Sequence, residues 1–150
     1  MYRCFLVCVV LLALTSGCSG VLEPATLVTG SSRCAQCQRP ITNTRVAAQL
    51  LVPGEPAAFF DDIECLGEYL QRHTVLPRNA IAYVVDHGTG EWTLAATAVY
   101  SRNFAVDTPT GSHLLAHASR ASRDADPAAQ GGAEVSATSL FPLGAPDGTR

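Results

Sequence analysis

The cysteines of this chain fall into two groups, and the second group constrains the fold most. Three of the six cysteines lie in or just after an apolar N-terminal run, and the other three are Cys34, Cys37 and Cys65. Three thiols cannot all pair internally, which is informative for a protein outside the cytoplasm. Two alternatives are open. Either Cys34 and Cys37 form a disulfide and leave Cys65 free, or all three sulfurs converge on a soft metal ion.

The N-terminal apolar run indicates export and lipid attachment. Arg3 precedes the apolar residues 4–14, a run too short for a membrane helix of about 20 residues but suited to a signal peptide. Small residues then lead to Cys18, a pattern typical of the bacterial lipobox, in which the cysteine is acylated. We expect a signal peptide over 1–17, and a lipid anchor and tether over 18–33 that holds the protein at the periplasmic face of a membrane in the cell envelope. The alternatives are an ordinary secretory signal cleaved nearby and a true membrane helix.

The charge balance excludes one class of function. The chain has 150 residues, with 13 acidic side chains, 10 basic side chains that are all Arg, and a formal net charge of −3. A phosphate backbone requires a basic surface, so we expect no nucleic-acid binding through bulk charge. The length allows one domain or two very small ones.

Hydrophobic patterning predicts a small α+β domain over 34–122. One helix is predicted from a cap at Asp61 to about His73, and a short second helix over 112–121. From 123 to 150 the composition, rich in Ala, Gly, Ser and Pro, favours a disordered tail. Extended segments are predicted at 46–52, 57–60, 80–86, 92–94, 98–100 and 104–106.

Five sequence blocks occur in order along the chain. They are the lipobox-like Cys18, Cys34-Ala-Gln-Cys37-Gln-Arg-Pro-Ile41, Phe60-Asp-Asp-Ile-Glu-Cys65-Leu-Gly-Glu-Tyr-Leu70, Tyr83-Val-Val-Asp86-His-Gly-Thr-Gly90-Glu-Trp92, and Ala98-Val-Tyr100 with Thr108-Pro-Thr-Gly-Ser112. In this combination the chain resembles the NosL-like lipoproteins over roughly residues 18–118. The resemblance implies a small fold of ββα units, similar to part of organomercurial lyase. It also implies an envelope lipoprotein that binds Cu(I) and supplies it to nitrous oxide reductase.

The chain departs from the family at its methionines. The resemblance implies a sulfur-rich metal site drawn from the segment Cys34–Arg39. There, Gln38 and Arg39 stand where members usually have Gly-Met, and Leu66 and Thr110 replace two further methionines. A thioether is a soft, neutral ligand suited to Cu(I), whereas an arginine cannot ligate a metal. The family's ligand set therefore cannot be transferred unchanged.

Two hypotheses follow from the loss of methionine. In the first, Cys34, Cys37 and Cys65 bind metal by themselves, Cu(I) in first place or Zn(II) if a fourth ligand is supplied, and Arg39 offsets the thiolate charge. The protein is then a carrier without catalysis, with a cuproenzyme client or another envelope metal-handling protein as its partner. In the second, the site has decayed to a Cys34–Cys37 disulfide in a metal-free interaction module. A thiol–disulfide oxidoreductase is disfavoured because Pro40 and a strand-like stretch follow the cysteine pair.

Histidines and acidic residues supply weaker candidates. His113 and His117 are four residues apart and would share the face of a helix, where such a pair can bind Zn(II) or copper, although two solvated histidines are the simpler interpretation. For His73 and His87, at a helix end and in a hairpin turn, we expect no functional role. The adjacent pair Asp61–Asp62 is expected to cap the helix and face solvent.

Overall fold

A computed structural model describes residues 22–141 as two antiparallel β-sheets with three short helices. The α+β class predicted from the sequence is confirmed. Within this described part of the chain, no helix is long and apolar enough to cross a membrane. The predicted signal peptide and the lipidation site Cys18 lie outside the described residues.

The first sheet contains four strands in the order β2-β1-β3-β4, with every neighbouring pair antiparallel. Buried aliphatic and aromatic side chains along these strands, as the apolar runs predicted, join residues of α1 and the second sheet in the core. The strands are β1 (Ala48–Leu51), β2 (Ala58–Phe60), β3 (Ile81–Val85) and β4 (Trp92–Leu94).

Helix α1 (Ile63–Arg72) follows β2 directly and buries Ile63, Leu66 and Leu70 against the first sheet. Its N-cap is Asp62, whose side chain accepts a hydrogen bond from the backbone N–H of Glu64. The sequence placed the cap one residue earlier, at Asp61. This difference matters because the residue before an N-cap is free to turn its side chain toward another part of the molecule.

The second sheet has the order β6-β5-β7, comprising β5 (Val99–Arg102), β6 (Leu114–His117) and β7 (Ala133–Val135). The prediction of a helix over 112–121 is wrong in its first part. All four residues of β6 are buried and pair with β5, so tertiary pairing outweighs local helix propensity there. The predicted extended piece at 104–106 is instead a turn, closed by Val106 N–H on the carbonyl of Asn103.

The segment from 123 onward is ordered as far as residue 141, contrary to the predicted disorder. It contains the end of α2 (Arg120–Ala125), strand β7 and α3 (Ala137–Leu140). Phe141 is buried edge-on against Tyr100, with ring centroids 5.5 Å apart. Gly67 in α1 permits the close approach of this segment, because a side chain there would meet the Leu140 carbonyl oxygen at 2.8 Å. Residues 142–150 of the predicted tail lie outside the described residues.

Residues 22–33, predicted as part of a tether, contact the domain. The backbone N–H of Ala25 donates to the side chain of Gln49, and the Tyr83 hydroxyl donates to the Leu22 carbonyl. Gly30 N–H donates to the carbonyl of Ile41, and Arg33 forms an isolated bridge with Pro40. These bonds join the segment to the fold and hold the following cysteine loop in place.

A candidate metal centre of three cysteines and an aspartate

The cysteine pair lies on a tight loop anchored at both ends. Cys34 N–H donates to the carbonyl of Arg39, and Gln38 N–H donates to the carbonyl of Cys34, so the chain reverses within six residues. Gln38 supports the reversal with a positive φ of 64°. Ala35 N–H donates to the carbonyl of Phe59, which fixes the loop beside β2. The loop therefore presents both sulfurs toward the start of α1.

Cys65 reaches the same place from the first turn of α1. The residue is 2% exposed and Cys34 is fully buried, whereas Cys37 is partly accessible. Because Asp62 caps the helix, the position of Cys65 relative to the loop is set by the β2–α1 junction. The three cysteines proposed as ligands thus come together in space, and all three are free thiols.

Asp61 is the fourth member of the cluster. The Sγ atoms of Cys34, Cys37 and Cys65 and a carboxylate oxygen of Asp61 all lie within 4.8 Å of one another. Both carboxylate oxygens of Asp61 are 3.5 Å from the Cys37 sulfur. Cysteine sulfur and carboxylate oxygen are established ligands of transition metals, so the cluster is able to hold a metal ion.

The expected roles of Asp61 and Asp62 are only partly confirmed. Both residues are buried, at 2% and 0% exposure, so neither carboxylate faces solvent. Asp62 caps α1 but also accepts hydrogen bonds from Thr110 N–H, from the Thr110 hydroxyl and from the Ser112 hydroxyl. One aspartate therefore enters the cysteine cluster while its neighbour fastens the loop that carries Thr110 beside it.

Two of the thiols differ in acidity. The pKa of Cys34 is lowered to about 6, mainly because the Cys65 thiol donates a hydrogen bond to its sulfur, and the backbone N–H groups of Cys37 and Asp61 add to the effect against the cost of burial. The same hydrogen bond and burial raise the pKa of Cys65 well above its ordinary value. Cys34 is accordingly the first thiolate of the cluster, which is the ionised form that a metal ligand needs.

Arg39 covers the accessible side of the cluster. Its Nε donates to the Cys37 sulfur at 3.4 Å, one terminal nitrogen lies 3.4 Å from an Asp61 oxygen, and the other donates to the Pro109 carbonyl at 3.0 Å. The side chain is 52% exposed. This placement agrees with the hypothesis that Arg39 offsets negative charge, and it connects the cysteine loop to the loop after β5.

The histidine pair predicted as an additional ligand set is not formed. His117 lies in β6 and bonds to Asp126 through Nε2, whereas the Nδ1 of His113 contacts the Val106 carbonyl at 2.8 Å. With β6 in place of a helix, the shared helical face does not exist. His73 stacks on Tyr69 with ring centroids 3.9 Å apart.

Sequence reasoning missed Asp61 as a member of the site. A carboxylate before a helix is far more often a cap than a ligand, and two adjacent aspartates compete for the same cap. The sequence does carry one indication, namely that only one of the two aspartates can occupy the N-cap position. The residue left over, directly before the cap and four positions from Cys65, was the candidate for another role.

Comparison with known proteins gives no family for the chain. No protein-family model matches its sequence, and no curated protein matches it at a significant level. The chemistry of the site therefore has to be inferred from its own residues, and the resemblance to the NosL-like lipoproteins stays a prediction.

Proposed function

We propose that this protein binds one thiophilic metal ion, Cu(I) in first place, and carries it in the cell envelope for delivery to a cuproenzyme. The observation that supports the proposal is the convergence of three cysteine sulfurs, two of them buried, from a loop and a helix whose cysteines are 28 to 31 positions apart in sequence. Cu(I) is a soft cation that accepts two or three thiolates, and burial excludes water and oxidants from the bound ion.

Access to the cluster is compatible with a carrier. Cys37 is the least buried of the three cysteines and is covered by the half-exposed side chain of Arg39. A displaced arginine would open one thiolate to an incoming ligand from another protein, while Cys34 and Cys65 keep hold of the ion. The client proposed from the family resemblance is nitrous oxide reductase or another cuproenzyme, and attachment through Cys18 would keep the carrier at the membrane.

Zn(II) is the second candidate because Asp61 supplies an oxygen donor. Three thiolates and one carboxylate make a four-ligand set, which is the number that structural zinc sites require. The carboxylate should contribute little to Cu(I) binding, because Cu(I) prefers sulfur ligands and low coordination numbers. Asp61 is thus the residue at which the two metals should differ most.

The test is an anaerobic titration of the full chain in which Cys4, Cys8 and Cys18 are replaced by Ser, so that only the three clustered thiols remain. We expect one Cu(I) per chain in competition with a chromophoric chelator, and loss of this binding in the further variants Cys34→Ser and Cys65→Ser. Unchanged affinity in both, or a Cys34–Cys37 disulfide that persists in protein isolated from the envelope, would overturn the proposal.

Asp61→Asn separates the two metals in the same background. If Zn(II) is the cargo, the amide weakens Zn(II) binding by about tenfold or more and leaves Cu(I) binding nearly unchanged. Asp107→Asn is the matched control, because Asp107 is an exposed aspartate that is not a member of the cluster. A wild-type affinity for Cu(I) that far exceeds the affinity for Zn(II) supports the copper assignment.

A further inference from the structure

A second group of potential ligands lies away from the cysteines, around the carboxylate of Asp126. One nitrogen from each of His87 and His117 and one oxygen of Asp126 lie within 4.8 Å of one another. Asp126 Oδ2 is 2.7 Å from His87 Nδ1 and 2.9 Å from His117 Nε2. Both imidazoles therefore point at the same oxygen atom.

Three separate elements position this histidine–aspartate cluster. His87 follows β3, and its backbone N–H donates to the carbonyl of Ala116, so the end of β3 runs beside β6 and places His87 next to His117. Asp126 ends α2 and caps the following 3-10 turn, with its other carboxylate oxygen held by the N–H of Ala128. Ligands fixed on independent, hydrogen-bonded elements are held ready for an ion rather than gathered by it.

The charge around the cluster favours a cation. Beside His117 lies a second buried carboxylate, Asp86, which accepts hydrogen bonds from Ala118 N–H and from the Ser122 hydroxyl. Two buried carboxylates therefore lie in this corner of the molecule, while the Arg45 side chain donates to the carbonyls of His87 and Gly88 rather than to a ligand atom.

The imidazole ring of His87 is the most exposed part of the histidine–aspartate cluster. His117 is fully buried and Asp126 is 7% exposed, whereas the His87 side chain is 18% exposed. An ion would enter from the His87 side and keep an open coordination position there. The far nitrogen of His117, Nδ1, has no hydrogen-bond partner within residues 22–141, so the bond from Nε2 to Asp126 is the one side-chain hydrogen bond that orients this ring there.

We propose that His87, His117 and Asp126 form a second metal site, selective for a borderline divalent cation such as Zn(II) and distinct from the thiolate cluster. Imidazole nitrogen and carboxylate oxygen are ligands that Zn(II) binds and that Cu(I) does not prefer. On binding, the proton on each ring nitrogen that faces Asp126 leaves that nitrogen, either for the opposite nitrogen of the same ring or for solvent, and frees a lone pair for the ion.

His117 Nδ1 lacks a hydrogen-bond partner in the described part of the chain, and this sets the expected strength of the site. Zinc-bound histidines usually donate their second nitrogen to a carboxylate or carbonyl, and loss of such a partner typically costs 10–100-fold in affinity. The site should therefore bind Zn(II) more weakly than a fully supported three-ligand site. An exchangeable ion suits it better than a permanent structural one.

Proton NMR of the histidine rings tests the proposal directly, because the chain contains four histidines. Zn(II) is added to the full chain that lacks Cys4, Cys8 and Cys18, and each ring signal is assigned from a single His→Gln variant. We expect saturable changes in the signals of His87 and His117 and none for His73 and His113. Signals of His87 and His117 that stay unchanged at saturating Zn(II) would overturn the proposal.

Variants then measure the site without relying on a residue that is fully buried. His87→Gln and Asp126→Asn should each weaken Zn(II) binding at this site by about tenfold or more, while His73→Gln, an exposed control, leaves it unchanged. Far-ultraviolet circular dichroism verifies that each variant is folded. The NMR readout is blind to the thiolates, so a failure here leaves the proposed Cu(I) function intact, and the reverse also holds.

Discussion

The two ligand clusters of this domain are built in opposite ways. The cysteine cluster combines a local motif with one more residue: two cysteines three positions apart meet a third at the start of α1, with Asp61 beside it. The histidine–aspartate cluster has no local motif, since its members are contributed by a hairpin, a strand and a helix end. The paired cysteines are therefore brought together by their spacing in the chain. The imidazole and carboxylate ligands instead meet because elements of the two sheets pack against each other.

The clusters also differ in how their charge is compensated. At the cysteines an arginine lies on the cluster, with Arg39 bonded to both a thiol and a carboxylate. At the histidines, a second buried carboxylate, Asp86, lies beside the ligands, and Arg45 bonds to the carbonyls of His87 and Gly88 instead of to a ligand atom. The first arrangement suits a monovalent ion bound by several thiolates, and the second a divalent ion bound mostly by neutral ligands.

Asp62→Ala should produce the largest effect and should separate the clusters. The buried carboxylate caps α1 and accepts three hydrogen bonds from the loop that carries Thr110 and Ser112. Removing it leaves buried donors without an acceptor, and we expect the free energy of unfolding to fall by about 3 kcal/mol. Urea denaturation measures this loss.

The same variant should weaken Cu(I) binding and spare Zn(II) binding at the histidines, because Asp62 bonds to the start of α1 and to the loop that carries Thr110 and Ser112, and to none of the histidine-cluster ligands. Asp107→Ala, an exposed substitution without a comparable role, is the control and should change stability by less than about 0.5 kcal/mol. A stable Asp62→Ala protein with unchanged Cu(I) affinity would contradict this account of how Cys65 is positioned.

The parts of the fold that sequence reasoning found are those in which local and tertiary preferences agree. β3 is a continuous apolar run and a buried central strand, and α1 has both a cap and an apolar face. The prediction for β6 was wrong because its four residues have mixed propensity and become a strand only when β5 lies beside them. The strand β7 was missed for the same reason, since its short sequence has almost no strand pattern of its own and it forms by pairing with β5.

The same distinction explains the sites. Cys34 and Cys37 were visible from their spacing, and Cys65 from the odd number of thiols. Asp61 was assigned to the helix cap because a shift of one residue in the helix start exchanges the roles of two adjacent aspartates. His87 could not be connected with His117, because the bridge between β3 and β6 that brings them together has no counterpart in local sequence.

Cys65→Ala should change the acidity of the cysteine cluster. In the metal-free protein the thiolate absorbance should rise with a midpoint at about pH 6, which is the pKa that the Cys65 hydrogen bond confers on Cys34. Without this donor the midpoint should move toward the ordinary thiol value of 9.0, by more than about one pH unit or roughly 1.4 kcal/mol. Cys34→Ala is the control, because it removes the titrating thiol and should abolish the transition near pH 6. A transition with an unchanged midpoint in both variants would contradict the assignment of this pKa to Cys34.

Asp86 should make the histidine side of the domain sensitive to acid. Its pKa is lower in the folded protein than the ordinary value of 3.8, so its contribution to stability is present above that value and is lost as the pH falls through the folded pKa. We expect the melting temperature to drop below about pH 4, and less steeply in Asp86→Asn. Thermal unfolding followed by circular dichroism measures both; parallel pH profiles for the two proteins would show that Asp86 does not carry the effect.

Arg39→Gln should have the smallest effect and should be confined to the cysteine cluster. The arginine side chain is 52% exposed, so its ion pair with Asp61 contributes at most about 1 kcal/mol, and global stability should change by less than about 0.5 kcal/mol. Losing the cation beside Cys37 should accelerate transfer of Cu(I) to a chelator by no more than about fivefold. Arg45→Gln is the matched control, because Arg45 contacts the carbonyls of His87 and Gly88 at the other cluster. If both substitutions change the rate of Cu(I) transfer equally, the effect is a general one of net charge, and Arg39 does not cover the site in the way its contacts indicate.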